Sequence, residues 1–411
     1  MDIKKMREHF PILQAKREDL VYLDSAATTQ RPKMVIDVIH EFYTHGNSSV
    51  HRGVYALSEK ATQDYEDARE KVAKFINASD ASEIIFTSGT TESINFVSDT
   101  WGRDHIKSGD EILVTQVEHH ANLLPWQRIV ERNGAKLKFI EVDLNEYLMK
   151  DPGSDMINNK TKLVSLVQVS NVLGDVWREG QIKSIIEKAH AVGAKVLIDG
   201  AQSIPHQKFD VQDWGADFVA FSGHKMLGPT GVGVLYIKKD LHDEVEPYQV
   251  GGSMVHDADY EEAHWQEAPS KFEAGTPPIA QVIGMGAAID FFNEHVDFDA
   301  MHKHEAMLCA RMVEGLRGIN GIKILGNQER MVSDGHLVAF TVEGVHAHDV
   351  SAMLGMKGVA TRAGHHCVQP LAKLMGIEAS ARASIYMYND MEDVEIFIRV
   401  LSELVKDFKK S

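Results

Sequence analysis

Seven short runs of β-branched and apolar residues alternate with helical patterns through the first two-thirds of the chain: EIIFTSG, EILVTQ, KLKFIEVD, KLVSLVQVSN, KVLIDGA, DFVAFSGH and GVGVLYIK. That alternation predicts βα units around a mostly parallel sheet. Several runs are apolar on both faces, as strands covered by helices on both sides must be, and each ends in small or polar residues. Those ends should converge on one crevice, where sheets of this kind bind ligands. After FEAGTPPIA the period changes to a long helical stretch beginning AQVIGMGAAIDFFNEH. LVAFTVEG, the helix-like HDVSAMLGMKG and the strand-like ARASIYMYN follow, predicting a second, smaller α+β unit. The closing NDMEDVEIFIRVLSELVKDF places Val394, Phe397, Ile398, Leu401, Leu404, Val405 and Phe408 at helical spacing. Asn389, with Glu392 three residues later, predicts a capping box at its start.

Composition narrows the classes. A chain of 411 residues exceeds one small core, and 44% hydrophobic with 25% charged residues describes a globular, enzyme-sized protein. The formal charge of -17 disfavours nucleic acid or an anionic membrane surface as the main partner, since both would repel it. Cys309 and Cys367 are the only cysteines, too few for a disulfide framework, and Cys309 falls on the helix face of EAMLCARMVEGL. A reducing compartment is expected. MDIKKMREHFPIL lacks an apolar segment and nowhere do ~18 apolar residues run together, so the expected location is the cytoplasm.

Candidate chemistry gathers at the strand ends. DFVAFSGHKMLGPTGVGVLY delivers Ser222, His224 and Lys225 at the polar end of a buried-type strand, with glycines beyond for a tight turn. KVLIDGAQS ends its strand in Asp199, a carboxylate suited to pair with a protonated pyridine nitrogen. IIFTSGTTESIN runs a strand into Gly89, Thr90 and Thr91 before a helical pattern, so free N–H groups and hydroxyls can gather round a phosphate. Lysine, ring-nitrogen partner and phosphate cradle are what pyridoxal 5'-phosphate requires. TRAGHHCVQP allows three readings of Cys367: a zinc site with His119, His120, His365 and His366, a thiol-imidazole pair as in a hydrolase, or a redox cysteine with incidental neighbours. No CxxC or HxxxH spacing supports zinc, and nothing identifies a hydrolase triad.

With those residues in place, the chain resembles the fold-type-I pyridoxal-phosphate enzymes of the class V aminotransferase family, and within it the SufS-type cysteine desulfurases, nearest the Gram-positive branch. YLDSAATTQRP, VHRGVYALS, VEHHANLLPWQ, VSNVLG, DGAQS, SGHKMLGPTGVG, KFEAGTP, RAGHHCVQPL and ARASIYMYN carry the resemblance over nearly the whole length. It implies a seven-stranded, mostly parallel sheet flanked by helices, in a large cofactor-binding domain over 21–290. A helical segment over 1–20 and a small α+β domain over 291–411, bearing the Cys367 loop, complete the expected organisation.

By the same resemblance Lys225 would bond to the cofactor and later move protons at the substrate carbon. His119 would stack on the pyridine ring, Asp199 would pair with its nitrogen and Gln202 would bond its ring oxygen. Thr91, Ser222 and His224, with Thr90 beside them, would hold the phosphate. Thr276 would reach the phosphate of the other subunit of a homodimer. Arg382 would clamp the substrate carboxylate and Asn171 help place it; Arg362 and Arg52 rank below it, an ion pair fixing a loop being at least as good a reading for each. Cys367 would take the sulfur of L-cysteine as a persulfide, leaving L-alanine, and pass it to an acceptor protein for iron-sulfur cluster assembly. In the Gram-positive branch that acceptor is a SufU-like zinc protein. His348 of VHAHDV would contact its metal, unless His346 and His348 simply cap the helix from Asp349. A selenocysteine lyase, or another lyase or aminotransferase using the same cofactor, is the alternative. One departure stands out: Ser270 occupies a position before KFEAGTP where relatives tend to carry tryptophan.

Overall fold

In the computed structural model, which describes residues 2–17, 19–153 and 155–408, the seven runs form one sheet. The outermost ends of the expected first and last segments, at 1 and 409–411, and position 18 lie outside the described residues. The strands are β1 Ile84–Thr87, β2 Glu111–Thr115, β3 Lys136–Ile140, β4 Thr161–Val167, β5 Lys195–Asp199, β6 Phe218–Ser222 and β7 Gly233–Ile237. They stand in the order β1-β7-β6-β5-β4-β2-β3. Only β7 runs antiparallel to its neighbours. The cause is the short segment 223–232: a parallel return needs a crossover of about a dozen residues or more, and this one folds straight back. It is the segment that carries Lys225.

Successive strand residues feed opposite cores, as a pleat of period two requires. Phe86, Leu113, Val164, Val196, Val219 and Val234 join α2 Ala56–Phe75 and α4 Ile279–His295 on one face. Ile85, Ile112, Leu163, Leu197, Ala220 and Leu235 meet α3 Thr90–Val97 and Trp101, Trp126 and Ile129 on the other. α4 is apolar nearly all round and accordingly buried, which is why its pattern showed no polar face. Gly233 has a sterically enforced role: a Cβ there would sit 2.4 Å from Gly89 Cα, so the glycine lets the turn before α3 lie directly on β7.

The second sheet is antiparallel, with β8 Ile322–Leu325, β9 Leu337–Val342, β10 Arg362–Gly364 and β11 Ser380–Ser384 in the order β8-β9-β11-β10. α5 Phe298–Arg317, α6 Ala347–Met356 and α8 Met391–Phe408 share its core, while α7 Gln369–Leu374 follows the Cys367 loop. Residues from the other end of the chain join this unit: Val21–Tyr22 pairs in parallel with Val359–Ala360. From α1 Ile3–Glu8, Arg7 donates to the Tyr388 carbonyl at 2.8 Å and to Asp393 at 2.9 Å.

Two caps differ from expectation. The box at α8 is formed one residue on, by Asp390 and Asp393, each carboxylate accepting the other's backbone N–H at 3.1 and 3.2 Å. Asn389 instead uses Nδ2 to hold the Tyr22 carbonyl at 3.0 Å and Asp393, and its Oδ1 to accept from Tyr386 N. At α6, His346 alone caps, its Nδ1 accepting from His348 N at 3.3 Å, and His348 lies in the first turn.

Candidate active site

The ends of β1, β4, β5 and β6 and the loop after β10 enclose a cavity of about 210 Å³. Thr90, Thr91, His119, Asn171, Asp199, Gln202, Ser222, His224, Lys225, Arg362, Cys367 and Arg382 all line it. Three of the residues named from the sequence lie elsewhere, the exposed Arg52 among them. Thr276 lines a separate cavity with Ser88, Tyr248 and Phe272, and His348 is exposed, its Nε2 3.7 Å from where a Cβ on Gly364 would stand.

At one end, α3 begins at Thr90 and leaves its first N–H groups free of intrahelical partners. Thr90 N donates to Ser222 Oγ at 2.9 Å and the two hydroxyls meet at 2.7 Å, which knits β6 to the helix start. The His224 carbonyl accepts from Thr29 N at 3.0 Å, and burial, then Lys225 and Arg31, pushes its ring down to about 4. Hydroxyls, a helix N-terminus and an imidazole make an anion cradle.

The floor carries Lys225 and Asp199. Burial brings the Lys225 amine down to about 8; Asp199 and Cys367 act to raise it, Arg382 and Arg362 to lower it. Asp199 is 2% exposed, its Oδ1 accepting from Ala201 N at 3.0 Å; burial raises its carboxyl, while that N–H and Lys225 oppose the rise. Above them, His119 Nδ1 accepts from Ala121 N at 3.0 Å, so the ring proton resides on Nε2 when neutral. Burial, Lys225 and His120 hold this imidazole at about 3, uncharged at neutral pH. Gln202 Nε2 donates to the Ala26 carbonyl at 2.7 Å.

The third wall belongs to Arg382, on β11 and 2% exposed. Nη1 donates to the Asn171 carbonyl at 2.8 Å and Nη2 reaches Asp24 at 3.2 Å, while Nε has no partner. Burial lowers its guanidinium to about 10, against the pull of Asp24. Arg362 also faces Asp24, at 3.6 Å, so it makes the ion pair its sequence position allowed. Asn171 Nδ2 donates to the His366 carbonyl at 2.6 Å and leaves Oδ1 unpartnered.

Cys367 and His366 both adopt left-handed backbone, with φ of 60° and 51°. Non-glycine residues pay about 1–3 kcal/mol for such conformations, which persist only where the surroundings fix them. Here they do. His366 Nε2 donates to the Ser380 carbonyl at 3.1 Å, its own carbonyl is held by Asn171, His120 N binds the Cys367 carbonyl at 2.8 Å, and Gln369 N binds His120 Nε2 at 3.1 Å. Burial and Arg382 keep His366 at about 3, so it shapes the loop as a neutral ring and leaves a bare Nδ1 at the cavity wall. Cys367 itself is exposed. Among the described residues no three His, Cys, Asp or Glu side chains are arranged to hold a metal ion, the two histidine pairs included.

Sequence reading missed Asp24 and Glu118. Glu118 is buried and accepts from Thr115 Oγ1 at 2.6 Å, Asn122 Nδ2 at 2.7 Å and Val167 N at 2.9 Å, binding the His119 segment to β2 and β4. Burial lifts its carboxyl to about 8. The signal was present in VEHHAN, where a carboxylate sits among residues of strand-end type. In the same short turn as the Ser270 departure, Phe272 packs edge-on against Phe96 at 5.7 Å, and Lys271 donates to the His242 carbonyl at 2.9 Å.

A mostly parallel sheet with a lysine behind its last turn, a carboxylate on the neighbouring strand and an anion cradle at a helix start defines a fold-type-I pyridoxal-phosphate enzyme. The chain belongs to the aminotransferase class-V family, which it matches over residues 21–397. It is 45% identical over 410 residues to a probable cysteine desulfurase of Halalkalibacterium halodurans, covering 99% of both chains. It is 46% identical over 409 residues to one of Staphylococcus epidermidis, covering 99% of this chain and 97% of the relative. Among solved structures, the apo cysteine desulfurase of Thermococcus onnurineus superposes with a TM-score of 0.92 at 38% identity, covering 98% of each.

Proposed function

We propose that this chain is a pyridoxal-phosphate-dependent cysteine desulfurase: it removes sulfur from L-cysteine, stores it on Cys367 as a persulfide and releases L-alanine. The observation that carries the reading is Cys367, exposed on a rigidly held turn, lining the same cavity as Lys225, Asp199 and Arg382. The cavity fits the cofactor: it has an anion cradle at Thr90, Thr91, Ser222 and His224, a buried carboxylate at Asp199 and a neutral imidazole at His119. The bound cofactor supplies an electron-withdrawing ring that weakens bonds at the substrate α-carbon.

The protein residues do the rest. Gln202 would orient the cofactor ring through its side-chain amide, and Asp199 would favour a protonated pyridine nitrogen. Lys225, lowered to about 8, has an appreciable neutral fraction near neutral pH and so accepts and returns protons at the substrate carbon. Arg382 and Asn171 present unpartnered Nε and Oδ1 atoms to an incoming amino acid, the first for its carboxylate. Arg362 adds positive charge at the cavity mouth. The Cys367 thiolate bonds to the substrate sulfur as the carbon–sulfur bond breaks; the carbon keeps the electron pair, takes a proton and leaves as L-alanine.

The reading extends to partners. The chain works as a homodimer in which Thr276 completes the phosphate site of the other subunit, and a SufU-like zinc protein accepts the sulfur, with His348 beside its metal. His348 stands against Gly364, on the strand that leads into the Cys367 turn, which favours such a docking. Two free cysteines suit a reducing cytoplasm, and no described helix is long and apolar enough to cross a membrane. The test is L-alanine and sulfide production from L-cysteine, with and without the acceptor. Cys367→Ser should keep the yellow colour and lose sulfide release; full turnover by that variant refutes the persulfide role, and activity on selenocysteine alone assigns a lyase.

A further inference from the structure

Eight buried side-chain polar atoms among the described residues have no hydrogen-bond partner. Three of them, on Asn171, His366 and Arg382, face the catalytic cavity. Four others line a second, larger cavity of about 340 Å³: Gln168 Oε1, Glu305 Oε1, Arg330 Nε and His336 Nε2. Gln168, Glu305 and His336 are each at most 4% exposed, so solvent at the mouth does not satisfy them. A buried polar atom left unpaired is costly, and four around one space mark a place built for a polar occupant.

The walls are rigid. His206 stacks on His336 at 3.8 Å with 20° between the rings, bonds Glu305 through Nδ1 at 2.9 Å and meets Tyr386 edge-on at 4.8 Å. The lining also carries Glu179, and Arg178 and Lys183, which are neutralised by Glu146 and Asp213; the remaining charges pair with one another. Arg330 pairs with Asp175 and with Asp334, and Asp334 also holds His302 at 3.3 Å and favours its protonated form. A purely anionic or cationic ligand would unbalance this set; a zwitterion would not. The unpartnered atoms divide the same way, with carbonyl-type acceptors on Glu305 and Gln168 for an ammonium, an N–H donor on Arg330 for a carboxylate, and a neutral ring nitrogen on His336 that donates or accepts with its tautomer.

We infer that this cavity binds a free small α-amino acid at a site separate from the catalytic one. Val169 and Gln202 line both cavities, so an occupant here presses on the residue whose amide holds the Ala26 carbonyl at the catalytic wall. The choice of L-alanine as the probe rests on the desulfurase reading, in which it is the amino acid released next door.

Equilibrium dialysis of the holoenzyme with labelled L-alanine, run beside the cofactor absorbance, tests this. The expected result is a second alanine per chain whose binding the absorbance does not follow. Arg330→Met and Glu305→Leu, which remove the donor and the acceptor respectively, should each weaken that second site about tenfold or more and leave the absorbance response intact. Binding confined to the alanine that perturbs the cofactor, or a second site unchanged in both variants, overturns the inference. Crystals of the parent soaked in L-alanine decide independently of whether either variant folds: density for the amino acid in this cavity supports the site, and water alone rejects it. Failure of the desulfurase reading would show separately, as no L-alanine made from L-cysteine.

Discussion

The two cysteines sit in opposite environments within one chain. Cys309 lies inside α5, fully buried, its Sγ 3.7 Å from the Leu337 carbonyl, and burial with Glu305 nearby pushes its thiol far above the ordinary range. Cys367 stands exposed on a strained turn, facing a cavity that holds Lys225 and Arg382. One sulfur fills space; the other is presented. The difference is made by backbone and neighbours, since only the thiolate is a nucleophile and only an accessible one meets a substrate.

The sharpest way to break that contrast is exchange of function. We expect Cys367→Ser to lower sulfide production by about two orders of magnitude or more, while Cys309→Ala keeps the parent rate, measured with L-cysteine as substrate. Alkylation followed by peptide mass spectrometry should modify Cys367 in the native protein and Cys309 only in denaturant; equal labelling would dissolve the comparison. His366→Ala removes the ring that anchors the turn on Ser380. It should cost about 1–3 kcal/mol in thermal or denaturant unfolding, and slow sulfur transfer with cofactor absorbance unchanged.

Acid offers a finer probe. His119, His206 and His366 are held near 3 in the folded chain against 6.5 when unfolded. Between those values the unfolded chain binds the extra protons, so stability falls as pH drops below 6.5, by up to about 1.4 kcal/mol per pH unit for each imidazole. The melting temperature should therefore fall on acidification, and His366→Gln should show a shallower fall than the parent. The smallest effect is expected at the quiet cysteine, where Cys309→Ala should cost about 1 kcal/mol in unfolding free energy.

All seven strands of the large sheet could be read from apolar runs because both of their faces are covered. The residues at their ends carried recognisable chemistry for the same reason: small or polar groups interrupting such a run have no packing role. What sequence left hidden was made by contact between distant segments. Asp24 meets Arg382 and Arg362 only after the chain's early residues join the second unit, and no local pattern announces that. His206, Glu305 and His336 sit in three unrelated segments, a turn, the helix α5 and the bend before β9, and become a cluster through packing alone. The cap at α8 moved by one residue because Asn389 was claimed by the Tyr22 carbonyl, a partner from far along the chain.

The Asp24–Arg382 pair joins positions 358 residues apart. A nascent chain emerging from the ribosome has the seven strands of its large sheet available long before Arg382 has been synthesised, so the clamp proposed for the substrate is among the last parts that translation permits to form. Activity in a refolding or translation time course should accordingly appear later than the burial of Trp126 and Trp177, and any product truncated before β11 should bury those tryptophans yet lack Arg382 and the role proposed for it.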